Sequence, residues 1–129
     1  MERGAMEPGS AERQERRGER CRERRKTLAV DFDGCLCENA YPGIGEPHRA
    51  VIAAVQERQR QGWGVILWTC REGEPLREAV DACHAWGLYP DAVNQNLPDW
   101  IAAFGNDCRK VGATEYWDDR AVRMGGGEG

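Results

Sequence analysis

The sequence predicts an α/β protein with a doubly wound, mostly parallel, Rossmann-like sheet flanked by helices. Short apolar runs alternate with stretches of helical spacing, which is the pattern of chains built from strand–helix–strand units. Acidic or hydroxyl-bearing residues follow the apolar runs at three places. Since ligands of open α/β sheets bind beyond the carboxyl ends of the strands, these residues are predicted to share one site.

The first predicted strand starts at Thr27 and leads directly into Asp31 and Asp33. Because side chains alternate along a strand, the two carboxylates start on the same face at its carboxyl end. Gly34 lets the backbone turn tightly around whatever they hold. An ordinary Asp-Gly turn is the structural alternative. Like charges this close are tolerated best with a cation or a proton between them, so the segment is a candidate catalytic site.

The segments between the apolar runs have helical spacing. Residues 47–61 carry apolar side chains every three or four positions and begin with a proline, which suits a first helical turn. Residues 74–86 carry a second apolar stripe that stops at Gly87. A short strand at 92–93 and one more helical turn over 98–104 complete the predicted alternation.

Three further pieces follow downstream in a definite order. Thr69 ends the second predicted strand, Lys110 precedes the last one, and Asp118 and Asp119 end that last strand. An Asp-x-Asp-Gly segment followed by Thr, Lys and Asp-Asp resembles the four-motif signature of haloacid dehalogenase-like (HAD) hydrolases, over residues 27 to about 120. Response-regulator receiver domains use similar residues, but there the acidic pair comes first.

The resemblance implies a Mg²⁺-dependent phosphohydrolase that forms an aspartyl-phosphate. Asp31 is the candidate nucleophile, and an unperturbed Asp, with a pKa of about 3.9, would be anionic at neutral pH. Asp33 is the candidate general acid and base, and by resemblance its backbone carbonyl also contacts the metal. An anion that attacks a phosphate needs a cation between the two, which favours Mg²⁺. The predicted metal residues are Asp31, Asp33, Asp118 and Asp119.

The predicted substrate-binding residues are Thr69, Cys70, Arg71 and Lys110. The Thr69 hydroxyl would donate to a phosphate oxygen, and Lys110 would place a positive charge against the phosphoryl group, with Arg109 as the neighbouring alternative. Each has an ordinary structural explanation, since Thr is common in strands and Lys is usually at the surface. Arg71 either contacts substrate or is an exposed loop residue paired with Glu72.

Two stretches are too short for the inserted cap domain that many members of this superfamily carry. Thirteen residues separate Asp33 from Pro47, and forty separate Thr69 from Lys110. The sequence therefore predicts a capless enzyme with an open site, in which Tyr41 and the adjacent glycines of the loop over residues 39–45 could form a small flap. Cys35 departs from the resemblance, because the motif usually has Thr after its glycine.

Three regions are predicted: an Arg/Glu-rich disordered arm over residues 1–26, a catalytic domain over 27–124 and a flexible Gly-rich tail over 125–129. The arm holds eight Arg and one Lys against six Glu and has few apolar residues, so it cannot offset the entropy of ordering. A tether for nucleic acid is the functional alternative, which the interleaved glutamates weaken.

Composition narrows the class of protein. No apolar run reaches membrane-spanning length, and the six cysteines form no disulfide-framework or zinc-binding pattern. A cytoplasmic protein with reduced thiols and no membrane partner is therefore predicted. The resemblance to HAD hydrolases implies a small phosphorylated substrate. Two other functions stay open, a catalytically silent phosphate- or nucleotide-binding module and a polynucleotide-end phosphatase tethered by the arm. The sequence leaves oligomeric state open.

Overall fold

The structure, a computed structural model, describes residues 25–122 and 124. The predictions for the arm over residues 1–24 and for the tail over 125–129 lie outside the described residues. The elements in chain order are β1 (Thr27–Val30), α1 (Arg49–Arg60), β2 (Gly64–Leu67), α2 (Gly73–Ala85), β3 (Ala92–Val93), α3 (Pro98–Phe104) and β4 (Glu115–Trp117).

The four strands form one sheet in the order β3-β2-β1-β4, and every pairing is parallel. The predicted Rossmann-like α/β fold is therefore confirmed. Val30 at the end of β1 is in register with Leu67 of β2 and with Trp117 of β4, so the three strands end at one level. The chain leaves β1 towards β2 and returns on the other side as β4. The boundary between β1 and β4 is thus the switch point where such sheets bind ligands.

The two central strands, β1 and β2, are buried along their whole length, as strands inside parallel sheets are. Leu28 and Val30 of β1 face α1 and α2, whereas Ala29 between them faces Leu97, the residue before α3. Successive residues of β1 thus face opposite sides of the sheet, as the two-residue period of a strand requires. The helices thus lie on both faces, two on one and the shortest on the other.

Two predicted elements differ from the structure by two residues at one end. The first helix begins at Arg49 rather than Pro47, because Pro47 pairs with Cys37 in an isolated antiparallel bridge. The second strand ends at Leu67 rather than Thr69. The Thr69 N–H donates to the Asn94 side chain, at 2.8 Å, and so leaves the strand ladder.

Two observations on the described residues concern membrane spans and cysteines. None of the described helices combines the length and the apolar character needed to cross a membrane. The five described cysteines form no disulfide with one another. No helix follows β4 within residues 118–122. The strand order places β4 at one edge of the sheet.

Candidate functional site

Three carboxylates converge at the switch point of the sheet. Asp31 follows β1, Asp118 and Asp119 follow β4, and one oxygen of each lies within 4.8 Å of the others. Because β4 ends at Trp117, the strict alternation of a strand no longer separates the two neighbouring aspartates. The structure therefore brings three of the four predicted metal residues together in an arrangement that could hold a metal ion.

Asp31 is electrostatically the most perturbed of these residues. Burial and the Asp118 carboxylate, with a smaller contribution from Asp119, raise the pKa of Asp31 to about 7, against a hydrogen bond from the Phe32 N–H that lowers it. Without a cation Asp31 is therefore partly protonated at neutral pH, unlike the unperturbed aspartate that the sequence suggests. A bound cation would favour its charged form.

Gly34 makes room for this cluster. Its φ is +87°, and a Cβ on it would lie 2.3 Å from an Asp119 carboxylate oxygen. Glycine is therefore required at this position for two reasons: the turn after β1 has a left-handed φ, and Asp119 lies too close to leave room for a side chain.

Asp33, the fourth predicted metal residue, is directed elsewhere. Both its carboxylate oxygens accept hydrogen bonds from Arg71, Oδ2 from Nε at 2.8 Å and Oδ1 from Nη2 at 2.7 Å. The Arg71 side chain is only 1% exposed, and that of Asp33 is 17% exposed. The alternative of an exposed Arg71 paired with Glu72 is wrong, because the guanidinium is buried against Asp33. Contact between the Asp33 carbonyl and a metal stays a prediction.

Thr69 and its neighbours follow β2 and lie beside the acidic cluster. The Thr69 hydroxyl oxygen accepts the Arg71 N–H, at 3.1 Å, which leaves its own O–H free to donate. The Asn94 side chain holds the Thr69 N–H, and Cys70 is exposed at the rim.

The two basic candidates after α3 occupy different places. Lys110 is exposed, with Nζ 5.5 Å from the centroid of the Tyr116 ring, and it lines neither of the two cavities that Asp31 lines. Arg109 lines the smaller of those cavities together with Asp31 and Asp118. A role for Lys110 at the phosphate stays a prediction, and in this structure Arg109 lies closer to the site.

One cavity, of about 490 Å³, contains most of the predicted site and is called the main cavity for that reason. Its lining residues are Asp31, Asp33, Asn39, Tyr41, Thr69, Cys70, Arg71, Asp118, Asp119 and Arg120. Tyr41 comes from the predicted flap, and its side chain is 59% exposed.

Sequence reasoning missed Asn94, Arg120 and Asn39. Asn94 directly follows β3 and has a φ of +54°, so the rule that finds polar residues at strand ends also applies to it. Arg120 follows the acidic pair, where its N–H donates to Asp118 at 2.9 Å. Asn39 begins the loop over residues 39–45, the predicted flap, but it is not among the predicted site residues, and it lines the cavity.

The fold and the site define a Rossmann-like, all-parallel α/β protein with an acidic cluster at its strand switch point. No family model matches the chain, and no curated protein matches it. A solved structure of a conserved protein from Bacteroides thetaiotaomicron is 40% identical, over 76% of this chain and 78% of that one, with a TM-score of 0.66. The chain therefore belongs to the same family as that bacterial protein, whose description states no activity.

Proposed function

We propose that this protein is a Mg²⁺-dependent phosphohydrolase that acts on small phosphate monoesters through an aspartyl-phosphate. One observation carries the proposal: Asp31, Asp118 and Asp119 place oxygens within 4.8 Å of one another at the sheet switch point. The order of the motifs along the chain, which resembles the HAD hydrolases, is consistent with it.

The donor set suits a small, hard cation. All three side chains are carboxylates, which Mg²⁺ prefers over nitrogen or sulfur ligands. Burial and the neighbouring carboxylates raise the pKa of Asp31, and a bound cation would favour its charged form. When bound, Mg²⁺ would neutralise charge on these carboxylates and on the oxygens of the phosphate.

Asp31 is the proposed nucleophile. Its carboxylate oxygen attacks phosphorus, the bond from phosphorus to the leaving oxygen breaks, and the phosphoryl group is carried on Asp31. Asp33 gives a proton to the leaving oxygen. Water then attacks the aspartyl-phosphate, Asp33 takes its proton, and inorganic phosphate leaves as the Asp31 carboxylate is restored.

The loop after β2 supplies the proposed phosphate contacts. The Thr69 O–H is free to donate to a phosphate oxygen, and Cys70 at the rim would lie beside the substrate. Lys110, or Arg109 in its place, would supply positive charge. The exposed Tyr41 and Arg120 at the cavity mouth would meet the alcohol part of the substrate.

The test is Mg²⁺-dependent hydrolysis of an aryl phosphate by wild type, Asp31→Asn and Asp81→Asn. Asp81 on α2 is exposed and serves as the matched control, because it forms an ion pair with the exposed Arg77 and does not line the cavity. Asp31→Asn should lose on the order of 10⁴-fold in turnover, whereas Asp81→Asn should retain wild-type activity. Turnover by Asp31→Asn, or turnover that does not depend on Mg²⁺, would overturn the proposal.

A catalytically silent phosphate-binding module is the second candidate. The position of Lys110 favours it, since Nζ rests over Tyr116 at the surface and outside both cavities. Calorimetric titration with Mg²⁺ and inorganic phosphate separates the two. Binding that Asp119→Asn abolishes, in a folded protein that does not turn over aryl phosphates, would select the silent module.

A further inference from the structure

We propose that Arg71 is a positioning residue that fixes the Asp33 carboxyl group and the flap, residues 39–45, in a single arrangement. The inference rests on the proposed role of Asp33 as the acid that protonates the leaving oxygen. In the sequence, Arg71 belongs to the loop after β2, whereas Asp33 and the flap both follow β1.

All five N–H groups of the Arg71 guanidinium donate to protein oxygens. Nε and one Nη2 N–H bind the two oxygens of Asp33. The other Nη2 N–H binds the Gly43 carbonyl at 2.6 Å, and Nη1 binds the carbonyls of Pro42 at 3.2 Å and Pro75 at 3.1 Å. Since an arginine has five donors, none remains in this arrangement for a phosphate oxygen.

Rings enclose the guanidinium as well. Its Cζ lies 5.0 Å from the centroid of Phe32 and 5.0 Å from that of Tyr41. Phe32 is fully buried beneath the site, whereas Tyr41 belongs to the flap. Arg71 therefore joins the segment after β1, the flap and the first turn of α2, and a lysine cannot reproduce this because it lacks the planar fork.

The contact with Arg71 orients the Asp33 carboxyl group and leaves part of its hydrogen-bonding capacity available. A carboxylate has about two lone pairs on each oxygen, and Arg71 occupies one on each. The remaining lone pairs can carry or receive a proton while the plane of the group is held. Without the fork, the carboxyl could rotate and the flap would lose two of its attachments to the loop after β2.

The dependence of kcat/KM on the leaving group distinguishes this positioning role from a general loss of activity. An aryl phosphate with a weakly basic leaving group needs little help from an acid, whereas an alkyl phosphate needs a proton. The constant kcat/KM is the proper measure, since it covers the steps up to phosphoryl transfer and excludes the later hydrolysis. In Arg71→Lys, kcat/KM for the alkyl phosphate should fall about 10²-fold and that for the aryl phosphate by less than about threefold.

Three further variants complete the design. Asp33→Asn should show the same selective loss, and the double variant Arg71→Lys/Asp33→Asn should lose no more than Asp33→Asn alone, because Arg71 acts through Asp33. Val55→Ala removes buried volume from α1, away from the cavity lining. As the control for lost stability, it should lower the two kcat/KM values in equal proportion.

Hydrogen exchange tests the attachment of the flap and does not require turnover. Amides of residues 39–45 should exchange at least about tenfold faster in Arg71→Lys and in Asp33→Asn than in wild type. In Val55→Ala any acceleration should be no greater in the flap than in the rest of the chain. Unchanged flap exchange in folded Arg71→Lys would overturn the positioning role.

The two proposals fail in different ways. If Asp33→Asn shows no preference against the alkyl phosphate, the acid assignment in the proposed function is wrong. If Asp33→Asn behaves as expected but Arg71→Lys lowers both kcat/KM values equally, or the double variant loses activity additively, Arg71 contacts substrate directly and the inference is wrong.

Discussion

The two sides of the main cavity differ in whether their carboxylates have a positively charged partner. On one side, Asp33 meets a guanidinium that is 1% exposed and that uses every donor it has. On the other, Asp31, Asp118 and Asp119 converge, and among the described residues no Lys or Arg forms an ion pair with any of them. On the first side the negative charge is paired with an arginine of the same chain, and the second side could hold a metal ion.

The difference shows how similar residues acquire different roles. Asp31 and Asp33 are two positions apart, yet one has its pKa raised to about 7 beside other carboxylates and the other is held by an arginine. The first arrangement suits metal binding and nucleophilic attack, and the second suits a carboxyl group whose orientation matters. Environment, rather than residue type, separates the proposed roles.

The largest expected effect is on stability. The same change, from Asp to Asn, should lower stability at position 33 and raise it at position 118. In metal-free protein at about pH 8, Asp33→Asn should lower the free energy of unfolding by about 2–4 kcal/mol, because it leaves the buried Arg71 charge without its anion. Asp118→Asn should raise it by up to about 1 kcal/mol, because it removes repulsion at a solvent-exposed cluster. Urea unfolding in the presence of a chelator measures both.

In the presence of Mg²⁺, Asp118→Asn should be less stable than wild type instead of more stable. A ligand present at about a hundred times its Kd stabilises by about 2.7 kcal/mol, and Asp118→Asn should lose most of that gain. If Asp118→Asn lowers the stability of metal-free protein, the three carboxylates do not repel one another as the structure indicates, and the comparison fails.

A middle-sized effect is expected from alanine in place of Gly34. The variant has to adopt a φ of +87° and to displace Asp119 from within 2.3 Å of the new Cβ. Gly62→Ala is the matched control, since Gly62 has a φ of +96° and a Cβ added there would meet nothing within 4 Å. Each should lose about 1 kcal/mol from backbone strain, and Gly34→Ala about 1–2 kcal/mol more.

The two glycine variants also differ in metal binding. Gly34→Ala should weaken Mg²⁺ binding about tenfold or more in a calorimetric titration, because Asp119 is displaced, and Gly62→Ala should leave it unchanged. Equal affinities in the two variants would mean that Asp119 is not a ligand.

The smallest effect concerns an exposed counterpart of the Arg71–Asp33 pair. His48 Nε2 lies 2.9 Å from Glu38 Oε2, and this contact, with help from the Cys35 carbonyl, raises the pKa of His48. A raised pKa in the folded state means that the pair stabilises fully below the unfolded pKa of about 6.5 and stops doing so as pH rises through the folded pKa.

Glu38→Gln tests the sign of this dependence. Wild type should exceed the variant in urea midpoint at about pH 5.5, and the gap should close by about pH 9. Because the pair is exposed, the gap should be smaller than either effect described above. A gap that widens with pH would contradict the assignment.

Much of the site could be predicted from the sequence because its residues stand at the ends of short apolar strands. Asp31, Thr69 and Asp118 each follow a strand directly or within two residues, and parallel strands deliver such residues to one edge. Local periodicity determined these positions, and it also determined the helices over 49–60 and 73–85 to within two residues at each end.

What only the tertiary structure decided was which charged groups meet. Asp33 pairs with Arg71 across 38 positions of sequence, and Lys110 rests over Tyr116 instead of entering a cavity. Long side chains have several rotatable bonds, so spacing along the chain does not determine where their charged ends lie. The pKa of Asp31 likewise depends on burial and on carboxylates nearly ninety residues away, which meet it only when β4 pairs with β1.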